Sequence, residues 1–305
     1  CAGGLRVQFT KEIQRTTVQG SLLTLKVEGL LGGHSGQDID KERQNADLLM
    51  ARMIQRLLKE TKGQLVSFNG GTKDNAIPRE CEASLIYESD EEAAKAEELA
   101  CELAETYAEE LTPAEPDFSC EISCETNRTA EAIPQDAAKE FICAMRLAPN
   151  GIQKRNIKMD GFVVVSLNLG VVRTEEDRIV MIFSPRSSVA SLQEDTKERL
   201  NTLAETFGFT VSHSSEYPGW SFKEDSPVRE ICKESYKELF GEDLKIEAIH
   251  AGLECGLFSD AIKGLDAIAI GPTIANCHTP DEYLTLDSFE RFYEFLKDIL
   301  SRLAK

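Results

Sequence analysis

The order in which apolar patterns follow one another restricts the fold of this chain more than any other feature. Short runs typical of strands alternate with longer segments of helical spacing, in the order strand 21–28, helix 41–60, strands 64–69 and 81–88, helix 90–111 and strand 119–124. This β-α-β-β-α-β succession is typical of a split βαβ, or ferredoxin-like, domain. The pattern therefore predicts such a domain in the first part of the chain.

A second stretch repeats much of this succession, without a recognisable repeat of sequence. Its predicted elements are helix 135–147, strands 162–169 and 178–184, helix 189–207 and strand 208–214. We therefore predict an α/β (α+β) fold in which the ferredoxin-like domain is enlarged or duplicated.

The segment YPGW, followed by Ser226-Pro227, interrupts the pattern because prolines and glycine stop both helices and strands. Beyond it the predicted elements are helix 226–240, strand 244–249, helix 253–262, strand 266–270 and helix 284–303. Strands that alternate with helices predict a parallel sheet covered on both faces. Two strands are too few for such a sheet, so we expect further strands to pair with them.

Charge and cysteine content narrow the class of protein. The 305 residues include 34 Lys and Arg against 53 Asp and Glu, and the formal net charge of −19 argues against nucleic acid or an anionic membrane as a partner. No apolar run approaches the roughly 18–20 residues that span a bilayer. The nine cysteines are odd in number and form no C-x-x-C motif, so we expect reduced thiols in a cytoplasmic protein.

Glycines surround a histidine in the segment GGHSG, which lies between a predicted strand and a predicted helix and contains His34. Glycines let a ligand approach the backbone closely, and a histidine held in a loop can donate to a developing oxyanion. The alternative is a tight turn that leaves His34 exposed, and the pentapeptide alone favours neither interpretation.

Four other residues are candidates for a site. His278, in the loop NCHTPDE beyond a predicted strand, can bind zinc as a neutral imidazole. Glu254, in the first turn of a predicted helix, can hold a cationic amine. Arg186, at a strand end, presents a planar fork suited to a carboxylate, and Asn75 lies in the loop NGGTKDNAIP. The alternatives are helix capping near His278 and at Glu254, and a surface ion pair at Arg186.

Five segments occur in one order: GLLGGHSGQDIDKERQNA, FNGGTKDNAIPRE, YPGW, IHAGLECGLF and NCHTPDEYLTLDSFERF. Together they resemble the aminoacyl-histidine (Xaa-His or carnosine-type) dipeptidases, in the co-catalytic zinc metallopeptidase family that includes carboxypeptidase G and aminoacylase. The resemblance implies a lid, or dimerisation, domain of ferredoxin-like topology over residues 5–220. It also implies that residues 1–4 end an N-terminal catalytic segment and that 221–305 form the C-terminal part of a zinc-binding α/β catalytic domain.

The resemblance further implies a role for each candidate residue. His278 matches a metal ligand, and His34 matches the lid histidine that stabilises the oxyanion. Asn75 and Arg186 match lid positions that contact substrate, and Glu254 falls where relatives carry a carboxylate near the substrate's amino end. The implied cofactor is a pair of zinc ions. The implied partners are a small peptide substrate and a second copy of the chain, bound through the lid domain.

The chain departs from this family in its metal ligands. Relatives carry an H-x-D segment, a Glu-Glu pair and a further Asp upstream of the lid, and none of these precedes the lid here. Since two zinc ions need several ligands and a general base, we expect a fragment that binds metal weakly or not at all and does not hydrolyse peptides alone. The alternatives are a tripeptidase or N-acyl-amino-acid deacylase, or a non-enzymatic dimerisation or ligand-binding module.

Overall fold

The computed structural model describes residues 1–157, 161–275 and 282–304. In these ranges the main sheet has nine strands: β1 Gly3–Glu12, β2 Thr16–Glu28, β4 Gln64–Gly70, β6 Cys81–Tyr87, β7 Ser119–Ala132, β8 Gly151–Arg155, β9 Val163–Thr174, β10 Arg178–Ser187 and β11 Thr210–Tyr217. Eight of them lie in the order β11-β1-β10-β9-β4-β6-β2-β7, and β8 pairs with β9 beside this path. Two short ladders join β3 Gly33–His34 to β5 Ala76–Ile77 and β12 Ile274–Ala275 to β13 Tyr283–Leu284.

Seven α-helices occur in the described ranges: α1 Ala46–Glu60, α2 Asp90–Leu111, α3 Gln135–Leu147, α4 Ala190–Thr206, α5 Pro227–Phe240, α6 Glu254–Ala261 and α7 Leu286–Leu303. Most of their bounds agree closely with the predicted ones, but α1 begins five residues later than predicted. The side chain of Asn45 accepts from the backbone N–H groups of Asp47 (3.0 Å) and Leu48 (3.2 Å). This N-cap satisfies the first donors of the helix and fixes its start at Ala46.

The first predicted ferredoxin-like domain is confirmed. Its elements follow the chain as β2-α1-β4-β6-α2-β7, and its strands lie in the antiparallel order β4-β6-β2-β7. The first and third strands are therefore central, as the split βαβ topology requires. We call these elements the first module.

The second module repeats this arrangement but takes its first strand from the beginning of the sequence. Its elements are β1, α3, β9, β10, α4 and β11, and its strands lie in the order β9-β10-β1-β11. The first module is thus inserted between β1 and α3 of the second. The strand β1 was not predicted, although its apolar residues Leu5, Val7 and Phe9 alternate along the chain and are buried.

The two modules meet through equivalent elements. The second strand of each module, β4 and β9, pair at Gly70 and Val172, and the first helices, α1 and α3, pack together. Phe68 of β4 and Phe141 of α3 make an edge-to-face contact with 5.4 Å between ring centroids. Pairing of equivalent elements places the modules about an approximate twofold axis, and they share one hydrophobic core.

Arg15, between β1 and β2, ties the two modules together. Its guanidinium donates to four backbone carbonyls, two in each module: Val66 (2.7 Å), Glu131 (2.8 Å), Glu175 (2.6 Å) and Glu176 (3.0 Å). We expect Arg15→Lys to lower the free energy of unfolding by about 2 kcal/mol, because one ammonium group cannot reach all four carbonyls and hydrogen bonds to charged groups contribute about 1.5–3 kcal/mol. Urea denaturation measures this change.

Arg178 provides the control for that experiment. It lies at the surface of the same region, and its guanidinium bonds the side chain of the adjacent Asp177 at 2.8 Å. Arg178→Lys should change the free energy of unfolding by no more than about 0.5 kcal/mol. If Arg15→Lys costs no more than Arg178→Lys, Arg15 does not join the modules.

The C-terminal part of the chain adds α5, α6 and α7. Helices α5 and α7 pack through a small cluster that includes Cys232, Phe295 and Ile299. The predicted strands 244–249 and 266–270 are wrong, since neither segment has strand structure in the described ranges. A strand needs a neighbour for its backbone N–H and C=O groups, and both segments instead border a cavity of about 1410 Å³.

The helices in the described part of the chain include none that is both long and apolar enough to cross a membrane.

Candidate functional site

Two neighbouring strands of the second module carry polar side chains on one buried face. Along β9, Ser166 and Asn168 alternate with two core leucines and therefore point away from the core. On β10, Arg186 lies opposite Ser166, and Ser184 lies opposite Asn168. We call these four residues the polar strip. Each is more than nine-tenths buried, which is costly for polar groups unless they bind partners.

His34 and Asn75 lie in two adjoining loops beside the polar strip. The short ladder of β3 and β5 pairs His34 with Ala76, and the backbone N–H of Ser35 donates to the carbonyl of Asn75 at 2.9 Å. The side chain of Asn168, on the strip, donates to the carbonyl of Ala76 at 2.8 Å. The structure thus brings two of the predicted site residues together against β9.

The backbone of the GGHSG loop determines the tautomer of the neutral His34 ring. Gly32 and Gly33 have φ angles of 59° and 140°, which few other residues adopt. The loop then turns so that His34 Nδ1 accepts from the backbone N–H groups of Gly36 (3.1 Å) and Gln37 (3.0 Å). Since this nitrogen accepts, the neutral ring carries its proton on Nε2. The Nε2–H group is a donor of the kind that stabilises a carbonyl oxygen.

Arg186 is a buried cation without a carboxylate partner in the described part of the chain. Its side chain is only 7% exposed. One guanidinium nitrogen, Nη1, donates to the Tyr217 hydroxyl at 2.9 Å, while Nε has no hydrogen-bond partner. A buried guanidinium with an unused donor is unfavourable unless an anion binds it. A carboxylate matches the fork of this side chain.

His250 joins the His34 loop to the polar strip. Its Nε2 lies 2.7 Å from Ser166 Oγ. A Cβ added to Gly36 would lie 2.4 Å from the His250 carbonyl oxygen, so the His34 loop packs directly on this carbonyl. Burial lowers the pKa of His250 to about 4, and the Arg186 charge contributes to the lowering. The ring is therefore neutral near pH 7.

The lowered pKa of His250 predicts a loss of stability in acid. The unfolded chain protonates this ring near pH 6.5 and the folded chain only near pH 4, so its contribution to stability is lost as the pH falls between these values. At 1.36 kcal/mol per pKa unit, the wild type should lose up to about 3 kcal/mol more than His250→Gln between pH 7 and pH 4. Urea denaturation at both pH values tests this, and equal losses in the two proteins would contradict it.

Of the two remaining predicted residues, Glu254 and His278, the structure describes only Glu254. Glu254 is exposed at the start of α6. That helix lies beside the end of β11, since a Cβ on Gly256 would be 2.7 Å from the Pro218 carbonyl oxygen. His278 lies outside the described residues. The part of the chain that the structure describes holds no group of three or more His, Cys, Asp or Glu side chains placed to bind a metal ion.

Ser166 and Asn168 were not predicted from the sequence, and His250 was given no role in the predicted site. The signal for the first two was present in the run FVVVSLNLGVV, where serine, asparagine and glycine recur at every second position of an apolar strand. Such an alternation indicates a polar strip on one face. No comparable signal marked His250, because its partner Ser166 lies 84 positions away in the sequence.

Comparison with known proteins identifies the relatives of this chain. A family model described as "Peptidase family M20/M25/M40" matches residues 71–302, and one described as "Peptidase dimerisation domain" matches residues 25–116. The chain is 32% identical over 309 residues to the cytosol non-specific dipeptidase of Escherichia coli (strain K12), covering 99% of this chain and 62% of that protein.

A solved structure agrees with these matches. The aminoacylhistidine dipeptidase from Vibrio alginolyticus superposes with a TM-score of 0.90 at 33% identity, over 99% of this chain and 62% of that one. The predicted fold class is confirmed by this likeness. The chain spans about 62% of the length of the relatives it matches. The expectations that it is a fragment and that it is inactive alone are not confirmed by these comparisons.

Proposed function

Because the chain belongs to the peptidase family M20/M25/M40, we propose that it carries the substrate-binding residues of a dipeptidase that acts on dipeptides ending in histidine. One relative is named as a non-specific dipeptidase and another as an aminoacylhistidine dipeptidase. Both names refer to enzymes that cleave dipeptides. We choose the Xaa-His class because the sequence motifs resemble that group.

The observation that carries this proposal is the incompletely hydrogen-bonded guanidinium of Arg186. Its Nε is buried without a hydrogen-bond partner, on the strip that the His34 and Asn75 loops adjoin. In the proposed complex, Arg186 binds the C-terminal carboxylate of the dipeptide, and the His34 Nε2–H group donates to the carbonyl oxygen of the scissile bond. Asn75 contacts the substrate, and Glu254 faces its amino group.

Zinc is the metal that the resemblance implies, with His278 as one ligand. The described residues do not provide a metal site, since they contain no suitable group of three ligands. We therefore propose that this chain alone binds the dipeptide but does not hydrolyse it, because hydrolysis in this family requires a metal-activated water.

A calorimetric titration tests the proposed binding. The purified chain should bind Gly-His, and it should bind the amide Gly-His-NH₂ at least about tenfold more weakly, because the amide lacks the charge that pairs with Arg186. Equal affinities would contradict the role of Arg186. Turnover of Gly-His after addition of zinc would show that the chain does hydrolyse peptides by itself.

The same titration separates the alternatives. A tripeptidase should prefer Gly-His-Gly, a deacylase should prefer an N-acyl amino acid, and a module that binds some other ligand should bind none of these.

The match of residues 25–116 to a dimerisation domain supports a homodimer, formed through the lid domain. Since β4 already pairs with β9 within the chain, the second copy would add at the β7 or β11 edge. The name of the Escherichia coli relative supports a cytosolic location.

A further inference from the structure

We propose that His250 is a positioning residue that sets the spacing between His34 and Arg186 and so makes the site select dipeptides over longer peptides, an inference that rests on the proposed function. In a dipeptide, a single residue separates the scissile carbonyl from the terminal carboxylate. Consecutive Cα atoms are about 3.8 Å apart, so one extra residue moves the carboxylate by a comparable distance. A rigid spacing between the two binding groups therefore measures substrate length.

His250 contacts both the loop that carries His34 and the residue that lies opposite Arg186. Its main-chain carbonyl oxygen packs on Gly36, two residues after His34 in the same loop. Its imidazole Nε2 bonds Ser166 Oγ at 2.7 Å, and Ser166 is the residue on β9 directly opposite Arg186 on β10. One residue therefore joins the loop that holds the oxyanion donor to the strand pair that holds the guanidinium.

The turn that begins at His250 is held in place on two further sides. The carbonyl of Ala251 accepts from the backbone N–H of Ala2 at 3.1 Å. A Cβ on Gly252 would lie 2.7 Å from the ring of Tyr217, whose hydroxyl accepts from Arg186. The turn thus cannot move relative to the second module without breaking contacts on several sides, which suits a spacer.

The variants distinguish the Ser166 hydrogen bond from the presence of a ring. In His250→Gln, the amide nitrogen can take the place of imidazole Nε2 and keep the bond to Ser166. In His250→Asn, the shorter side chain cannot reach Ser166. Ser166→Ala removes the same bond from the other partner. Ser84→Ala is the matched control, because the buried Ser84 makes a partly buried hydrogen bond of 2.6 Å to Ser67 between β6 and β4, neither of which carries the polar strip.

Calorimetric titration with Gly-His and Gly-His-Gly measures the selectivity. We expect the wild type, Ser84→Ala and His250→Gln to prefer the dipeptide by at least about tenfold. His250→Asn and Ser166→Ala should lose about tenfold in this preference, as expected when a buried hydrogen bond of 1–3 kcal/mol is removed. Unchanged preference in both of these variants would overturn the proposal.

A measurement without ligand keeps this inference separate from the proposed function. In ¹⁵N NMR spectra of the free chain, Ser166→Ala should shift the ring signals of His34, because His250 transmits the change. The same substitution in the His250→Asn background should leave the His34 signals unmoved. If Ser166→Ala never shifts His34, the proposal is wrong. If it does shift His34 but the wild type binds no dipeptide, the spacing role stands and the proposed substrate is wrong.

Discussion

Gly71→Ala is expected to lower the free energy of unfolding by about 3 kcal/mol or more. Gly71 follows β4 with a φ of +65°, a conformation that costs an alanine roughly 1–2 kcal/mol. The added Cβ would also lie 2.0 Å from the carbonyl oxygen of Gly170 on β9. Because that atom belongs to the backbone of a central strand, relief requires moving β9 away, and overpacking of this kind costs about 1–3 kcal/mol. Urea denaturation measures the sum.

Gly151→Ala separates the two contributions to this loss. Gly151 has a φ of +74°, and a Cβ added there meets nothing within 4 Å. It should therefore cost only the conformational part, roughly 1–2 kcal/mol. If the two alanine variants are equally stable, β9 does not lie as close to the end of β4 as the structure shows.

Arg186→Met is expected to weaken Gly-His binding by about 100-fold or more without reducing stability. A bidentate pair of a guanidinium with a carboxylate contributes about 3 kcal/mol, which corresponds to this factor. In the free chain, however, the buried charge has no carboxylate partner in the described part, so an apolar side chain of similar length removes a cost of burial. Titration calorimetry and urea denaturation of the same variant measure both quantities.

Arg178→Met is the control for this experiment. Arg178 lies at the other end of β10 and bonds the adjacent Asp177 at the surface. Its replacement should leave the affinity for Gly-His unchanged. If Arg186→Met lowers the free energy of unfolding by as much as it lowers the free energy of binding, Arg186 is a structural residue. That result would contradict its role in binding substrate.

The module topology was predictable because it rests on local patterns. The spacing of apolar side chains indicates amphipathic helices such as α3 and strands with one core face such as β6. The pairing of β1 with β10 and β11 was not predictable, since it joins residues 166 or more positions apart. Local patterning carries no information on which distant strand completes a sheet.

The wrong predictions at 244–249 and 266–270 show that a local pattern can also indicate a strand where none forms. Their apolar alternation satisfies the local rule, but strand structure also depends on backbone partners, which the described residues do not provide there. The candidate site was likewise only partly predictable from the sequence. His34 and Arg186 are candidates from local chemistry and from the resemblance. The sequence could not show that His250 contacts both the His34 loop and Ser166, because those contacts form only in the folded chain.

A crystal structure of this chain with Gly-His bound would show whether Arg186 and His34 hold the dipeptide. We predict that a carboxylate oxygen of the dipeptide lies within about 3 Å of Arg186 Nε, and that the peptide carbonyl oxygen faces His34 Nε2. A dipeptide bound elsewhere, or bound with its carboxylate turned away from Arg186, would contradict the account.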